Sequence, residues 1–468
     1  MNDLTKTIAA VSTPRGKGGI AVIRLSGPDA LRVADAMFRP ASGKELSQYP
    51  PRAAVFGTIL DSSDSPCDEG IAVCFAAPRS FTGEDTAEFS CHGGPAVTEA
   101  VYVSALAHGA CAAGPGEFTR RAFVHGRLSL TEAEAVGALI DADTKERLSL
   151  SLGAVRGNVS REIEKISDSL LSVMTALYAA IDYPEEDVGD EGEREIGNVL
   201  KTALSDVERL LATYKTGRAV ANGVKTVLCG APNAGKSSLF NRITGEDAVI
   251  VTEIAGTTRD VLRETVSFGG VTLRLSDTAG MRRTDNVIEK IGVDRAAAEI
   301  ADAELILALF DGSRPLSEED RELIRLLGEN GQGSAGGAKI AVLTKSDAGL
   351  VLTEDELASV DAVCSMRVSV SAKNGEIGKL ADAIASLYES GSVDLKNDAV
   401  IWDARHRQAL EHSRASLSAA VRAIEAGDPI DCVCTLAEEA MAALSETDGR
   451  GVEEKIVAEI FSRFCVGK

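Results

Sequence analysis

Eight consecutive residues constrain this chain more than any others. Gly230-Ala231-Pro232-Asn233-Ala234-Gly235-Lys236-Ser237 reads G-x-x-x-x-G-K-S, the pattern of a loop that cradles phosphates. The apolar run Val227-Leu228-Cys229 before it reads as a buried strand, and Ser238-Leu239-Phe240 after it opens a helix. The segment therefore predicts strand, loop and helix in that order. Glycines let backbone N–H groups turn inward toward polyphosphate oxygens at the helix N-terminus. Lys236 then reaches the β- and γ-phosphates, and the Ser237 hydroxyl ligates Mg²⁺. The plain alternative is a glycine-rich turn before a structural helix, and the downstream residues argue against it.

Four further signals follow in order. Thr252-Glu253-Ile254-Ala255-Gly256-Thr257-Thr258-Arg259-Asp260 is a threonine-rich loop of the kind that orders around Mg²⁺ and a γ-phosphate. Val271 to Ser276 alternates as a strand and delivers Asp277-Thr278-Ala279-Gly280, with Asp277 expected near Mg²⁺ and the Gly280 N–H near the γ-phosphate. Ile340 to Leu343 runs into Thr344-Lys345-Ser346-Asp347, whose terminal carboxylate can accept from guanine N1 and N2. Val368-Ser369-Val370 leads to Ser371-Ala372-Lys373, whose backbone can reach guanine O6. Together the five segments predict a Ras-like GTPase domain, with nucleotide contacts expected from Asn233 to Ser238, Thr252 to Thr258, Asp277 to Gly280, Thr344, Lys345, Asp347 and Ser371 to Lys373. Met281 stands where Ras-type enzymes carry a water-orienting glutamine. Glu289, Arg259 or Arg282 is left to serve instead. The Asn233 amide oxygen lies where it could ligate a cation beside the phosphates, or where it could simply form the turn.

The whole chain has 468 residues, which predicts two to four domains. Its net charge of −22 is a poor footprint for a nonspecific nucleic-acid binder. Aromatic residues make up 4%, too few for a base-stacking sheet. The nine cysteines contain no C-x-x-C pair, and no signal peptide or run of 18 apolar residues is present. A reducing cytoplasm and no membrane span are expected.

Around the central motifs, residues 1–125 read as mixed α/β, with strands at Ile20–Leu25 and Ile71–Phe75 and a helix from Asp29 to Phe38. Cys91-His92 reads as a strand end entering a glycine turn rather than a metal or nucleophile site. Pro115 to Phe123 reads as a polar, loop-like segment. Residues 126–222 turn helical: apolar residues from Leu148 through Val159, Ile163, Leu170 and Leu177 to Ile181 predict one long helix. Val199, Leu204, Val207, Leu211 and Tyr214 predict a second. In residues 391–468 further stripes appear at Leu410, Leu417, Val421 and Ile424, at Leu436, Ala440 and Leu444, and at Ile456, Ile460, Phe461 and Phe464. The simplest packing joins both helical sets in one bundle, with the nucleotide domain, residues 223–390, inserted between its halves.

These motifs and their flanks resemble the MnmE (TrmE) family of tRNA-modifying GTPases. The likeness covers Thr13-Pro14, Gly18-Gly19-Ile20, Arg79 to Asp85, Cys91 to Gly94, Pro115 to Thr119, Leu130 to Val136 and the tail Phe464-Cys465-Val466-Gly467-Lys468. It implies an N-terminal domain that binds a tetrahydrofolate derivative, in the 5-formyl or methylene form, and builds a homodimer. Arg24, Glu88 and Arg127 match the folate contacts, joined by Lys468 from the C-terminus. It implies that Ser237 and Thr258 hold Mg²⁺ and that K⁺ sits on Asn233, Thr252, Ile254 and Thr257 as paired G domains meet. Glu289 matches the water-orienting carboxylate, and Cys465 is the family's tail cysteine. It implies a partner, MnmG (GidA), carrying FAD and NADH, in a heterotetramer or larger complex that holds tRNA. The pair adds an aminomethyl or carboxymethylaminomethyl group to C5 of the wobble uridine. Thr344 departs from the asparagine common at its position. The alternative is a regulatory GTPase of ribosome assembly, which would lack Arg24, Glu88 and the tail.

Overall fold

The computed structural model describes residues 4–182, 189–247, 263–276, 300–329, 337–388, 393–452 and 454–467. They form two compact units, residues 1–137 with 445–468, and residues 138–444.

The first unit is built on a seven-stranded sheet in the order β3-β4-β5-β6-β2-β1-β7. Its strands are β1 (Ile8–Val11), β2 (Ile20–Ser26), β3 (Phe38–Pro40), β4 (Val55–Leu60), β5 (Pro66–Phe75), β6 (Thr86–His92) and β7 (Cys111–Ala112). Alternate residues of β2 and β6 point to opposite faces. Ile23, Leu25 and Phe89 go inward with Val33 and Met37 of α1 (Ala30–Met37) and Val101 of α2 (Pro95–Ala107). Arg24 and Glu88, directly opposite one another in the antiparallel register, take the other face.

Two expectations fail here. Pro115 to Phe123 is no solvated loop: Glu117–Val124 is a helix, α3, with Phe118, Thr119 and Arg121 fully buried. A polar sequence hid this because Arg121 meets Glu117 one turn away, at i,i+4. The last helix, Glu454–Ser462, does not join the helical bundle. Its Val457 and Phe461 pack with Leu130 and Ala133 at the start of α4 (Leu130–Ile140). Gly449 makes the turn possible: its φ is +90°, and a Cβ there would stand 2.8 Å from Leu130 Cβ. The chain then ends along the sheet, where Val466 bridges Pro115.

In the second unit the long helix expected over Leu148 to Ile181 is two: α5 (Lys145–Val155) and α6 (Asn158–Asp182). Gly157, at φ +77°, breaks them. Leu148 and Ile181, at the ends of the stripe, are exposed. The middle of the stripe, Ile163, Leu170 and Leu177, packs with Leu200 and Val207 of α7 (Gly189–Asn222). Leu410 and Leu417 of the helix Ala404–Ala426, and Ala437 and Leu444 of Ile430–Asp448, complete that core. The two helical sets thus share one bundle.

Between them in sequence lies a six-stranded sheet in the order β13-β12-β11-β8-β10-β9. The helix α7 ends at Gly223 (φ +69°) and passes directly into β8 (Val224–Gly230). β9 (Arg263–Phe268) is antiparallel to β10 (Val271–Ser276); β8, β10, β11 (Leu305–Asp311), β12 (Ala338–Thr344) and β13 (Met366–Ser369) run parallel. Every residue of β11 is buried, as expected for a strand covered on both faces. Parallel strands bring their C-terminal ends to one edge, where open α/β sheets bind ligands.

Candidate nucleotide site and N-terminal pocket

The loop after β8 is shaped by three backbone constraints. A Cβ at Gly230 would stand 2.6 Å from Leu309 O, so only glycine lets the strand end pass β11. Asn233 and Gly235 both adopt left-handed backbone, at φ +63° and +91°. Asn233 is therefore a turn former in this structure, and its side chain is exposed. The helix α8 (Lys236–Asp247) opens at once, with Ser237 and Ser238 exposed in its first turn. Lys236 Nζ donates to Gly230 O (2.7 Å) and Ala231 O (2.8 Å) of its own loop. Burial pushes the Lys236 ammonium below its ordinary pKa, since its direct partners are neutral carbonyls.

The loops after β12 and β13 converge on the same edge. Thr344, 5% exposed, donates its hydroxyl to Ala234 O at 2.8 Å and lies 3.2 Å from Phe310 O. It thereby ties the phosphate loop to the end of β12. Lys345, in left-handed backbone, reaches Asp311 Oδ2 at 2.7 Å. Asp311 titrates below the usual carboxylate range: burial opposes this, but the bonds from Lys345 and Ser313 prevail. Ser371 Oγ donates to Asp347 Oδ1 at 2.7 Å and accepts from Asn374 N at 3.2 Å. That hydroxyl, with Lys373 and Lys345 nearby, holds the Asp347 carboxyl below its ordinary range. Asp347 and Ser371, far apart in sequence, are thus brought together as an acceptor-rich corner. Thr344 was expected as a nucleotide contact that departs from the usual asparagine; its tie to Ala234 and the part of Asp311 were not legible. Thr252 to Thr258, Asp277 to Gly280 and Glu289 lie outside the described residues. Among the described residues no cluster of His, Cys, Asp and Glu gathers as a metal site, and Cys91-His92 does end a strand.

In the first unit Arg24 Nε donates to Glu88 Oε1 at 2.7 Å. The guanidinium lies over two rings, 5.9 Å from the Phe81 centroid and 5.7 Å from that of Phe118. Phe118 is fully buried, whereas Phe81 is 40% exposed. Arg127 is exposed on the stretch that passes Gly83. The tail runs beside β1, with Ser12 Oγ donating to Gly467 O at 3.2 Å and Gly116 N to Cys465 O at 3.4 Å. Cys465 is exposed; Lys468 lies outside the described residues. Both rings belonged to segments singled out in the sequence, but nothing there said they would meet at Arg24, because the contact joins a loop, a strand and a helix.

Two family models match this chain: "MnmE helical domain" over residues 130–465 and "GTP-binding protein TrmE N-terminus" over residues 7–127. The curated protein named tRNA modification GTPase MnmE of Lactobacillus helveticus is 37% identical over 463 residues, covering 99% of this chain and 98% of its own. Its namesake in Heliobacterium modesticaldum is 40% identical over 470 residues, covering 99% of each. Among solved structures, the G domain of the T. maritima FeoB iron transporter is 26% identical, covering 35% of this chain and 98% of its own with a TM-score of 0.25; the assignment does not lean on it.

Proposed function

Given that this chain belongs to the MnmE family of tRNA modification GTPases, we propose that its GTP hydrolysis drives addition of a carboxymethylaminomethyl or aminomethyl group to C5 of the tRNA wobble uridine, with MnmG as partner. The observation that carries the nucleotide part is the corner formed by Asp347 and Ser371 beside a phosphate loop already tied down by Thr344. A carboxylate kept ionised by a neighbouring hydroxyl suits a base edge with two N–H donors, which guanine has and adenine lacks. The residues fit a triphosphate: Lys236 has only neutral carbonyls to give up, and a helix N-terminus with free hydroxyls follows.

On this reading Asn233, Ala234, Gly235, Lys236, Ser237 and Ser238 hold the phosphates, and Ser237 with Thr258 holds Mg²⁺. Lys345, Asp347, Ser371, Ala372 and Lys373 form the base site, and Thr344 contributes to nucleotide binding by tying that site to the phosphate loop. Glu289 orients water, in place of the glutamine that Met281 replaces. K⁺ on Asn233, Thr252, Ile254 and Thr257 would add positive charge where the transition state gains negative charge. Asn233 is exposed at the mouth of the loop, which leaves its side chain free for this.

The surroundings of Arg24 suit a reduced folate: a cation beside two aromatic rings suits a flat heterocycle with an anionic tail. Glu88, Arg127 and Lys468 complete the set. A homodimer is supported by Phe56 and Ile71, paired across β4 and β5 and both exposed on the face of the sheet opposite α1 and α2. No described helix is long and apolar enough to cross a membrane. The net charge of −22 suits tRNA being held mainly by the partner. The test is mass spectrometry of wobble uridines in tRNA from a strain lacking the gene. Loss of the C5 group, restored by the gene on a plasmid, is expected; fully modified uridines would reject the reading.

A further inference from the structure

Arg121 is an arginine with no solvent exposure, flanked by two carboxylates. Its Nη1 donates to both oxygens of Glu84 at 3.0 Å, and its Nη2 to Glu117 Oε1 at 3.1 Å. Both acids are themselves anchored. Ser26 Oγ donates to Glu84 Oε2 at 2.7 Å, and the Gly114 N–H donates to Glu117 Oε2 at 2.7 Å. Burying three ionised groups is costly, and for stability alone an apolar cluster of equal volume serves as well or better. Buried ionic groups of this kind are retained where one geometry must be specified.

What this knot specifies is visible in the chain on either side of it. Glu84 belongs to the loop that carries Phe81, and Arg121 belongs to the helix that carries Phe118, one turn before it. The same loop is pinned again by His125 Nδ1 on Thr82 O at 2.8 Å and by Ser80 Oγ on Glu84 O at 2.5 Å. Phe81 itself, 40% exposed, has too little apolar cover to fix its own place. Yet its ring and that of Phe118 stand almost equally far from the Arg24 guanidinium, at 5.9 and 5.7 Å.

We infer that the Arg121–Glu84–Glu117 knot fixes where the Phe81 ring stands relative to Phe118 beside Arg24, which makes Arg121 a positioning residue for the site at Arg24. The inference deepens the folate reading of that site and rests on it for the ligand, a flat pterin bearing an anionic tail. Arg121 touches no ligand. It acts through Phe81, by holding the loop against the helix. Lysine cannot replace it, because one ammonium cannot span two carboxylates on opposite sides with fixed fork geometry.

The first measurement needs no ligand. Full-length protein is made with 4-fluorophenylalanine in place of Phe81, and its ¹⁹F resonance is recorded. A single resonance displaced from that of the free amino acid is expected, moving toward the free value and broadening in Arg121→Lys. An identical resonance in Arg121→Lys and Arg121→Met would overturn the inference. The second measurement is calorimetric titration of the full-length protein with 5-formyl-tetrahydrofolate. Arg121→Met should weaken binding about tenfold, the loss of a charge-assisted contact felt at second hand. In a Phe81→Ala background it should cost no more than about twofold further, because coupled sites are not additive. Losses that multiply in the double variant would show Arg121 acting independently of Phe81 and overturn the inference. If circular dichroism shows Arg121→Met unfolded, Glu84→Gln takes its place in the same cycle. Unchanged binding in Arg24→Ala would reject the folate reading, while the fluorine result would still decide the knot.

Discussion

The two candidate sites each centre on one cation, and the protein holds those cations in opposite ways. Arg24 carries its own counter-charge, Glu88 at 2.7 Å, and lies over two rings. Lys236 rests on two backbone carbonyls of its own loop, at 2.7 and 2.8 Å. An anion arriving at Lys236 exchanges neutral acceptors for charged ones in half-buried surroundings, where a charge-assisted bond is roughly twice as strong as a neutral one. An anion arriving at Arg24 finds the charge already balanced and gains mainly from shape and stacking. The contrast teaches that one site is built to capture charge and the other to recognise a surface.

The contrast is most exposed at Lys236. Lys236→Ala should lower GTP affinity by several hundredfold, the loss of charge-assisted bonds to two phosphates, read by titration with a fluorescent GTP analogue. A loss below tenfold would mean the loop N–H groups do the capturing and would erase the contrast. Asp347→Asn should shift preference from GTP toward xanthosine triphosphate by about a hundredfold, measured by competition. Unchanged selectivity would remove Asp347 from the base site. Replacing K⁺ by Na⁺ should lower kcat about tenfold with little change in GTP affinity, since the proposed cation acts on charge that develops in the transition state. Equal turnover in both salts would remove K⁺ from the site and leave Lys236 and Mg²⁺ to meet that charge.

Smaller effects sharpen the same comparison. Thr344→Val keeps the shape but removes the bond to Ala234, and should cost about fivefold in GTP affinity, near one neutral hydrogen bond, with guanine preference kept. A loss of base preference instead would place Thr344 on the base. The pH effect is the smallest. Asp347 titrates below its ordinary range, so it stays ionised as pH falls until that depressed value is reached. Guanine preference should therefore change less than about twofold between pH 8 and pH 5, the lower end lying about one unit above an ordinary aspartate. A decline beginning near pH 6 would show that Ser371 does not support the carboxylate in solution.

Legibility followed locality. The phosphate loop was readable because strand, glycines, lysine and helix are contiguous, and each residue type has its own physical job there. The bundle was readable because its apolar stripes repeat along each helix. The break at Gly157 was not, since a glycine within a periodic stripe can stay helical or turn left-handed depending on its neighbours. The helix at Glu117–Val124 was missed for a different reason. Its buried residues mix two charges, Glu117 and Arg121, with Phe118, Thr119 and Ala122, and hydrophobic periodicity carries no sign of charges that neutralise each other inside. Only the i,i+4 spacing of Glu117 and Arg121 pointed toward it.

The amino-acid order alone determined that this chain carries a G-x-x-x-x-G-K-S loop between strand and helix, a Thr-Lys-Ser-Asp loop after a strand, and two helical sets in need of a common core. Those follow from short-range backbone preferences and from periodic burial. Tertiary structure alone decided that the final helix packs on Leu130 and Ala133, that Thr344 fastens the loop at Ala234, and that Arg24 stands beside both Phe81 and Phe118. Each of those contacts joins residues from separate elements. Their energy depends on distances that no stretch of sequence contains.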